Sequence, residues 1–423
     1  MSAMSVKNAL EDIFQKFLEK QSLFKNREAL SHEYLPDSFP HRDEQIKFIA
    51  EVMAPALRGF KPSNLFIYGK TGTGKTAVVR YVLSILKEMA GNLFSSLKTF
   101  YINCRLVGSE YRVYFTMCSG LGFRVPFTGL SIGELFERFC RYLDESRALF
   151  IIVLDEIDAL VKDSGDEILY NLTRINEILK YSKVSLIGIS NNLKFKELLE
   201  PKVLSSLSEE EIVFRPYNAS ELKDILWQRA KLAFYDGVVD EGTINLCSAL
   251  AASEHGDARR ALDLLRVAGE LAEREGSDKI YERHVREAER RIEYDRVMEV
   301  MKNLPLHSKL IMCSLYFLEQ SSLEYSITGD IYDVYNHLCS LLSTFPLTQR
   351  RVSGLINELD SLGLLNARVT SFGRYGRSKK IKLAVEPDLV YEVFSRDSRL
   401  KSILNLRLEE ICGSPKKRRD RTG

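Results

Sequence analysis

The sequence predicts an α/β fold built on a parallel sheet, followed by an all-helical domain and a C-terminal winged helix-turn-helix. Three observations carry that prediction. Between Lys61 and Phe214 short apolar runs alternate with stretches of helical periodicity; from Tyr217 the strand signal stops and helical patterns continue to about Arg291; near the C-terminus a helix precedes two strand-like runs around a glycine- and arginine-rich turn. Strands alternating with helices imply parallel pairing. A helix followed by two strands is the order of a winged helix.

Taken in order, the strands are "NLFIY", "KTFYINC", "LFIIVLD", "VSLIGIS" and "EEIVF". "YNASELKDIL" then places Asn218 as an N-cap with Glu221 three residues on, a capping box, and sets Leu222, Ile225 and Leu226 on one helical face. The expected boundaries are an α/β base over 1–216, a helical lid over 217–293, a winged helix over 294–412 and a disordered basic tail over 413–423. Two or three domains suit 423 residues, which exceed one typical core.

Composition excludes several classes. Hydrophobic content of 45% with 28% charged residues describes a soluble globular chain. A formal net charge of +2 is nearly neutral, so any polyanion signal must be local. Seven cysteines from Cys104 to Cys412, without a CxxC pair, fit reduced thiols better than a disulfide framework or a zinc site. The longest strongly apolar run, Ala148 to Leu154, is too short to span a bilayer, and the N-terminus is amphipathic rather than a secretory signal. An intracellular protein with no membrane partner is expected.

The chemistry starts at "GKTGTGKT". Gly69, Lys70, Thr71, Gly72, Thr73, Gly74, Lys75 and Thr76 satisfy GxxxxGKT directly after a predicted strand and before a predicted helix. Glycines let successive backbone N–H groups converge on phosphate oxygens, and the helix N-terminus adds attraction. Lys75 is placed to reach the β- and γ-phosphates and the Thr76 hydroxyl to ligate Mg²⁺. Farther on, "LFIIVLDEID" ends a buried strand in Asp155, which can hold the metal shell, and Glu156, which can orient or deprotonate water. "VSLIGIS" closes on Asn191 and Asn192, where an amide can hold the attacking water or the γ-phosphate; an Asn-rich turn is the competing account. In "EHGDARRALDLL", Arg259 opens a helix from which a guanidinium can reach the phosphates, although such an arginine is more often solvated.

These elements in this order, followed by a winged helix, resemble the archaeal branch of the origin-recognition and cell-division-cycle replication initiators, members of the AAA+ ATPases. The resemblance runs from "FKNREALSHEYLPDSFPHRDEQ" through "VLDEIDAL", "GISNN" and "EHGDARRALDLLR" to "TQRRVSGLINELDSLGLL". "GKTGTGKT" is shared by many ATPases, whereas "EHGDARRALDLLR" joined to "TQRRV" is far more specific. The resemblance implies an AAA+ phosphate-loop domain with ATP or ADP and Mg²⁺; a lid attached to both nucleotide and winged helix makes the bound phosphate state a control on domain orientation, so hydrolysis is expected to be a slow switch. Residue by residue it makes Lys75 and Thr76 Walker A ligands with Ala77 beside them, Asp155 and Glu156 the Walker B pair, Asn191 sensor 1 and Arg259 sensor 2. It also implies backbone or side-chain contacts on the adenine side from Leu35, Pro36, His41 and Arg42, with Tyr217 in the nucleotide set. One departure stands out: where many members carry an arginine finger this chain reads "LEPKVLSSL", and Lys202 lacks the planar fork that clamps a phosphoryl group.

Local charge supports a nucleic-acid face. No acidic residue lies between Asp360 and Glu386, a stretch that carries Arg368, Arg374, Arg377, Lys379, Lys380 and Lys382. "SFGRYGRSKK", including Tyr375, suits a basic wing. Thr348, Gln349, Arg350 and Arg351 open the expected recognition helix, and Val352, Leu355, Ile356 and Leu359 form its inward side. A solvated basic face on a protein-interaction module is the competing account. The resemblance also implies a helical insertion between two core strands, Arg105 to Ser131, with Arg112, Arg124 and Phe127 as candidate DNA contacts; core packing accounts equally well for its aromatics.

The implied partners are origin double-stranded DNA, the replicative minichromosome-maintenance helicase and paralogous initiators, in a cytoplasmic, nucleoid-associated setting. The function expected is an ATP-regulated initiator that binds origins and helps recruit the helicase. An ATP-dependent winged-helix transcriptional regulator is the alternative, and a clamp-loader-like machine is disfavoured by the wing and by Lys202.

Overall fold

The computed structural model describes residues 22–92, 96–207, 209–320, 325–371 and 377–406. Arg374, Tyr375 and the basic tail lie outside them. The described residues divide into two compact units, the first ending at Ala288 and the second beginning at Glu289.

The first unit is built on five parallel strands, β1 (Asn64–Gly69), β2 (Leu97–Asn103), β3 (Leu149–Asp155), β4 (Lys183–Ser190) and β5 (Glu209–Phe214), in the order β2-β3-β4-β1-β5. They coincide with the five apolar runs of the sequence. Every residue of β3 is buried because helices cover both faces of the sheet, which is why the run shows no alternation. On one face Leu65, Ile67, Ile151 and Val153 pack with α1 (Asp43–Met53) and α2 (Lys75–Asn92). Three helices fill the interval between β2 and β3: α3 (Cys104–Val107), α4 (Glu110–Gly120) and α5 (Ile132–Ser146). With α6 (Ile157–Ser164), α7 (Glu167–Ile178) and α8 (Pro201–Leu207) they enclose Phe66, Phe150, Ile152 and Leu154 on the opposite face. Each such side chain contributes about 1.5–3 kcal/mol of burial.

Register decides where chemistry collects. Asn103 lies opposite Asp155, Asp155 opposite Ile189, and Tyr68 opposite both Ser190 and Val213. The carboxyl ends of β1, β3 and β4 therefore open on one edge, the usual ligand side of a parallel sheet.

The lid follows in the same unit. In α9 (Ala219–Ala233) the capping box is complete: the Asn218 side chain accepts from the Glu221 N–H at 2.9 Å and the Glu221 carboxylate from the Asn218 N–H at 2.8 Å. Next come α10 (Glu241–Ser253) and α11 (Ala258–Glu275), the latter capped by Asp257. The segment before α1 lies against the lid, with the rings of Phe24 and Phe234 4.6 Å apart. Helix α12 (Glu282–Lys302) runs across the boundary between the units.

The second unit comprises α13 (Leu306–Gln320), α14 (Thr328–Leu341), α15 (Gln349–Ser361), an antiparallel pair β6 (Leu365–Ser371) and β7 (Arg377–Leu383), α16 (Pro387–Phe394) and α17 (Lys401–Leu404). Val352, Leu355, Ile356 and Leu359 of α15 point into its core with Leu310, Phe317, Tyr335 and Phe394. This is a winged helix-turn-helix.

Among the described residues no helix is long and apolar enough to cross a membrane. The six described cysteines are buried and unpaired. Burial pushes the Cys118 thiol up to about 11 and the Cys104 and Cys247 thiols to about 12, so they pack rather than react.

Candidate nucleotide site and basic helix

The loop between β1 and α2 needs glycine for two separate reasons. Gly72 and Gly74 adopt φ of 70° and 90°, the left-handed region that side chains disfavour. A Cβ at Gly72 would also lie 1.7 Å from the Asp257 carboxylate, and one at Gly74 2.9 Å from the Tyr217 hydroxyl. The Lys75 ammonium spends its three N–H groups on Gly69 O at 2.7 Å, Lys70 O at 2.7 Å and Asn191 Oδ1 at 2.9 Å. Burial lowers its pKa to about 8; Asp155 opposes that shift and Arg259 adds to it.

Opposite Lys75 stand the two acids. Thr76 Oγ1 donates to Asp155 Oδ2 at 2.7 Å, the Tyr101 hydroxyl donates to the same oxygen, and the Glu156 N–H donates to Oδ1 at 2.9 Å. Burial, reinforced by the Asp155 carboxylate, holds the Tyr101 hydroxyl well above the usual phenol range, so it acts as a donor. Among the described residues no group of three or more His, Cys, Asp or Glu assembles into a metal cage. One hydroxyl and one carboxylate, both hard oxygen donors, fit Mg²⁺, which keeps several waters and takes further oxygens from phosphates. Glu156 itself sits at φ 55° and forms no side-chain cap on α6. Its carboxylate lies 3.8 Å from Arg105.

Asn191 is held from behind. Asp158 Oδ1 accepts from the Ser190 hydroxyl at 3.1 Å and from the Asn191 N–H at 3.0 Å, which leaves the Asn191 amide directed at Lys75.

The lid closes the same cavity. The Ala258 N–H donates to Gly72 O at 3.1 Å, so the start of α11 is bonded directly to the loop, and Arg259 follows it in the cavity wall. Thr71 to Ala77, Asp155, Glu156, Asn191, Tyr217, Leu35 and Pro36 all line this space. Tyr34, Phe39, Ile225 and Leu262 add apolar side chains to the same lining.

Four further residues of the expected nucleotide set are engaged with the protein itself. Gly69 and Lys70 contribute carbonyls to Lys75 instead. His41 turns to Asp224, 2.8 Å away. Arg42 is buried, donates to Thr73 O at 3.1 Å and Arg215 O at 2.7 Å, and stacks on Tyr217 with its guanidinium carbon 3.8 Å from the ring centre. The side chains of His41 and Arg42 thus have protein partners, and Arg42 braces the loop through Thr73.

In the second unit Thr348 caps α15, accepting from the Arg351 N–H at 3.4 Å. Gln349, Arg350 and Arg351 are exposed in its first turn. Lys379 of β7 bonds to the Asn357 side chain of α15, and Arg377 is the first residue of β7, paired with Ser371. In the first unit Arg112 is exposed on α4 beside Phe127, 5.7 Å from its ring centre. The Lys202 amine is engaged by Glu167 at 3.0 Å and Glu200 at 3.3 Å.

Three family models match in succession: an AAA domain over residues 58–195, a Cdc6 AAA+ ATPase-type lid domain over 223–290 and a CDC6 C-terminal winged helix domain over 299–393. An ORC1-type DNA replication protein of Thermococcus onnurineus is 51% identical over 403 residues, covering 94% of this chain and 97% of that protein. The chain belongs to the archaeal ORC1-type DNA replication proteins. The Archaeoglobus fulgidus ORC1-type DNA replication protein 1 is 48% identical over 93% of this chain and 95% of its own. Among solved structures, the Aeropyrum pernix ORC1 protein in complex with DNA superposes with a TM-score of 0.81 at 49% identity, covering 91% of this chain and all of that one.

Several residues of this ORC1-type protein escaped the sequence reading. Tyr101 reaches Asp155 across a strand register that no local pattern reveals. Asp158 lies within the quoted "LDEID", but its grip on Asn191 depends on β3 and β4 being neighbours. Arg229 of α9 is buried beside Tyr34, its guanidinium carbon 4.6 Å from the ring centre, in a helix whose apolar face was the visible signal. Arg80 had a legible cue, since it follows Thr76 by one helical turn.

Proposed function

We propose that this ORC1-type protein is an ATP-regulated replication initiator that grips origin double-stranded DNA, helps recruit the replicative helicase, and hydrolyses ATP slowly as a switch. The observation that carries the proposal is the direct bond between lid and loop, Ala258 N–H to Gly72 O at 3.1 Å, beside the Lys75–Asn191 pair. A phosphate in the loop and a guanidinium at the start of α11 share one wall, so phosphate state and lid position are coupled.

The chain's own residues divide the work. Loop amides and Lys75 bind the β- and γ-phosphates; Thr76 and Asp155 would hold Mg²⁺, which draws negative charge from the phosphoryl oxygens when bound. Glu156 orients water and takes its proton. Asn191 fixes the γ-phosphate end through Lys75, and Arg259 brings the lid to the phosphates. A largely apolar slot with Leu35, Pro36 and Tyr217 excludes water around the base.

Duplex binding is assigned to the winged helix, with Thr348, Gln349, Arg350 and Arg351 toward the major groove and the β6–β7 wing along the backbone. Arg112 gives a second contact from the insertion. The Aeropyrum pernix ORC1 complex with DNA supports this reading. The test is nucleotide and duplex binding by the purified chain with two variants: Lys75→Ala should lose nucleotide, and Glu156→Gln should retain ATP and lose turnover. Unimpaired ATP binding by Lys75→Ala would sink the proposal. Immunoprecipitation peaks at one or a few origins, rather than at many promoters, separate an initiator from a transcriptional regulator.

A further inference from the structure

The strongest unassigned feature is the third partner of Asp155. A carboxylate offers about four acceptor directions. Three are already filled by the chain: the Glu156 N–H on Oδ1, and the hydroxyls of Thr76 and Tyr101 on Oδ2. Thr76 cannot hold the carboxylate alone if its own oxygen is to face a cation. Tyr101 can, because its hydroxyl donates to Asp155 while the Arg80 guanidinium holds the side chain.

The tyrosine is itself held. It lies on β2 opposite Val153, two residues before the Asn103–Asp155 pair, so its ring stands on the face of the sheet that carries α2. There the Arg80 guanidinium covers the ring, its carbon 4.2 Å from the ring centre. Thr76 and Arg80 are one turn apart on α2, so a single helix supplies both the hydroxyl that shares Asp155 with Tyr101 and the cation that pins the Tyr101 ring.

We propose that Tyr101 is a positioning residue for Mg²⁺: its hydroxyl fixes the Asp155 carboxylate so that its remaining acceptor direction meets the water shell of the cation. This rests on the reading of the cavity as a Mg²⁺–nucleotide site. Partners that orient a ligand carboxylate typically affect metal affinity by ten- to a hundredfold when removed.

The experiment titrates Mg²⁺ against the full-length chain and a fluorescent, non-hydrolysable ATP analogue, starting in EDTA. In Tyr101→Phe, which loses one oxygen and keeps the ring under Arg80, affinity in EDTA should equal wild type while the Mg²⁺ concentration at half-effect rises about tenfold. Arg80→Gln, which leaves the hydroxyl but frees the ring, should shift the midpoint the same way by less. Mn²⁺ resonance spectra of the ternary complex should broaden in both variants. A wild-type Mg²⁺ midpoint in Tyr101→Phe overturns the proposal. So does an equal loss of affinity with and without metal, which marks a packing role. A wild-type chain that shows no response to Mg²⁺ overturns the reading of the cavity itself.

Discussion

The Lys75 ammonium and the Asn191 side chain are joined at 2.9 Å, which makes the phosphate-loop lysine and the asparagine at the end of β4 one unit. Removing Asn191 leaves Lys75 two of its three acceptors. Asn191→Ala should therefore weaken ATP binding by about ten- to a hundredfold, the worth of one hydrogen bond to a charged group, while slowing hydrolysis more than that. Equilibrium titration and single-turnover rates check it; wild-type hydrolysis in Asn191→Ala contradicts the shared role.

Lys75 also sets a pH dependence. Burial lowers its pKa to about 8 in the free chain, and an incoming phosphate raises it again. A group whose pKa rises on binding favours the complex fully below its free value and loses that advantage as pH climbs. ADP affinity should be flat below about pH 8 and fall by up to tenfold per unit above it, with proton uptake visible by calorimetry in two buffers. Lys75→Arg should flatten the profile. A constant affinity from pH 7 to 9.5 in the wild type rules the assignment out.

Arg105 lies 3.8 Å from Glu156 and is 77% exposed, so the pair is weak and easily displaced. Freed of that partner, the Glu156 carboxylate turns more readily toward water. Arg105→Ala should raise the ATPase rate two- to fivefold, the kinetic equivalent of up to about 1 kcal/mol. A lower rate means that Arg105 supports catalysis instead.

Lys202 is engaged by Glu167 and Glu200 of its own chain. An amine so occupied, and without a bidentate fork, is poorly placed to reach a neighbouring copy's nucleotide. ATP turnover per molecule should stay constant as protein concentration rises. A steep increase points to activation between subunits.

Arg350 lies in the exposed first turn of α15. Arg350→Ala should reduce duplex affinity and lower the slope of log affinity against log salt by about one, leaving ADP binding untouched. Anisotropy titrations at several salt concentrations read both quantities. An unchanged slope moves the contact elsewhere.

What the residues alone disclosed was local. The five strands, the capping box at Asn218, the inward face of Val352, Ile356 and Leu359, and the loop from Gly69 to Thr76 each write their pattern into consecutive positions. The partners of His41 and Arg42, Asp224 and the Thr73 and Arg215 carbonyls, were not legible because they belong to other segments. Tyr101, Asp158 and Arg229 stayed hidden for a related reason: their meaning depends on strand order, register and lid packing, none of which is encoded within a few neighbours.

The closeness of Gly72 to Asp257 ties together two places far apart along the gene. A methyl group introduced at the first would collide with the second, so the two codons are not free to drift independently. Suppressor genetics offers a direct reading of that closeness: colonies that regain part of their growth after Gly72→Ala should carry changes clustered around Asp257, the left-handed backbone at position 72 limiting the recovery.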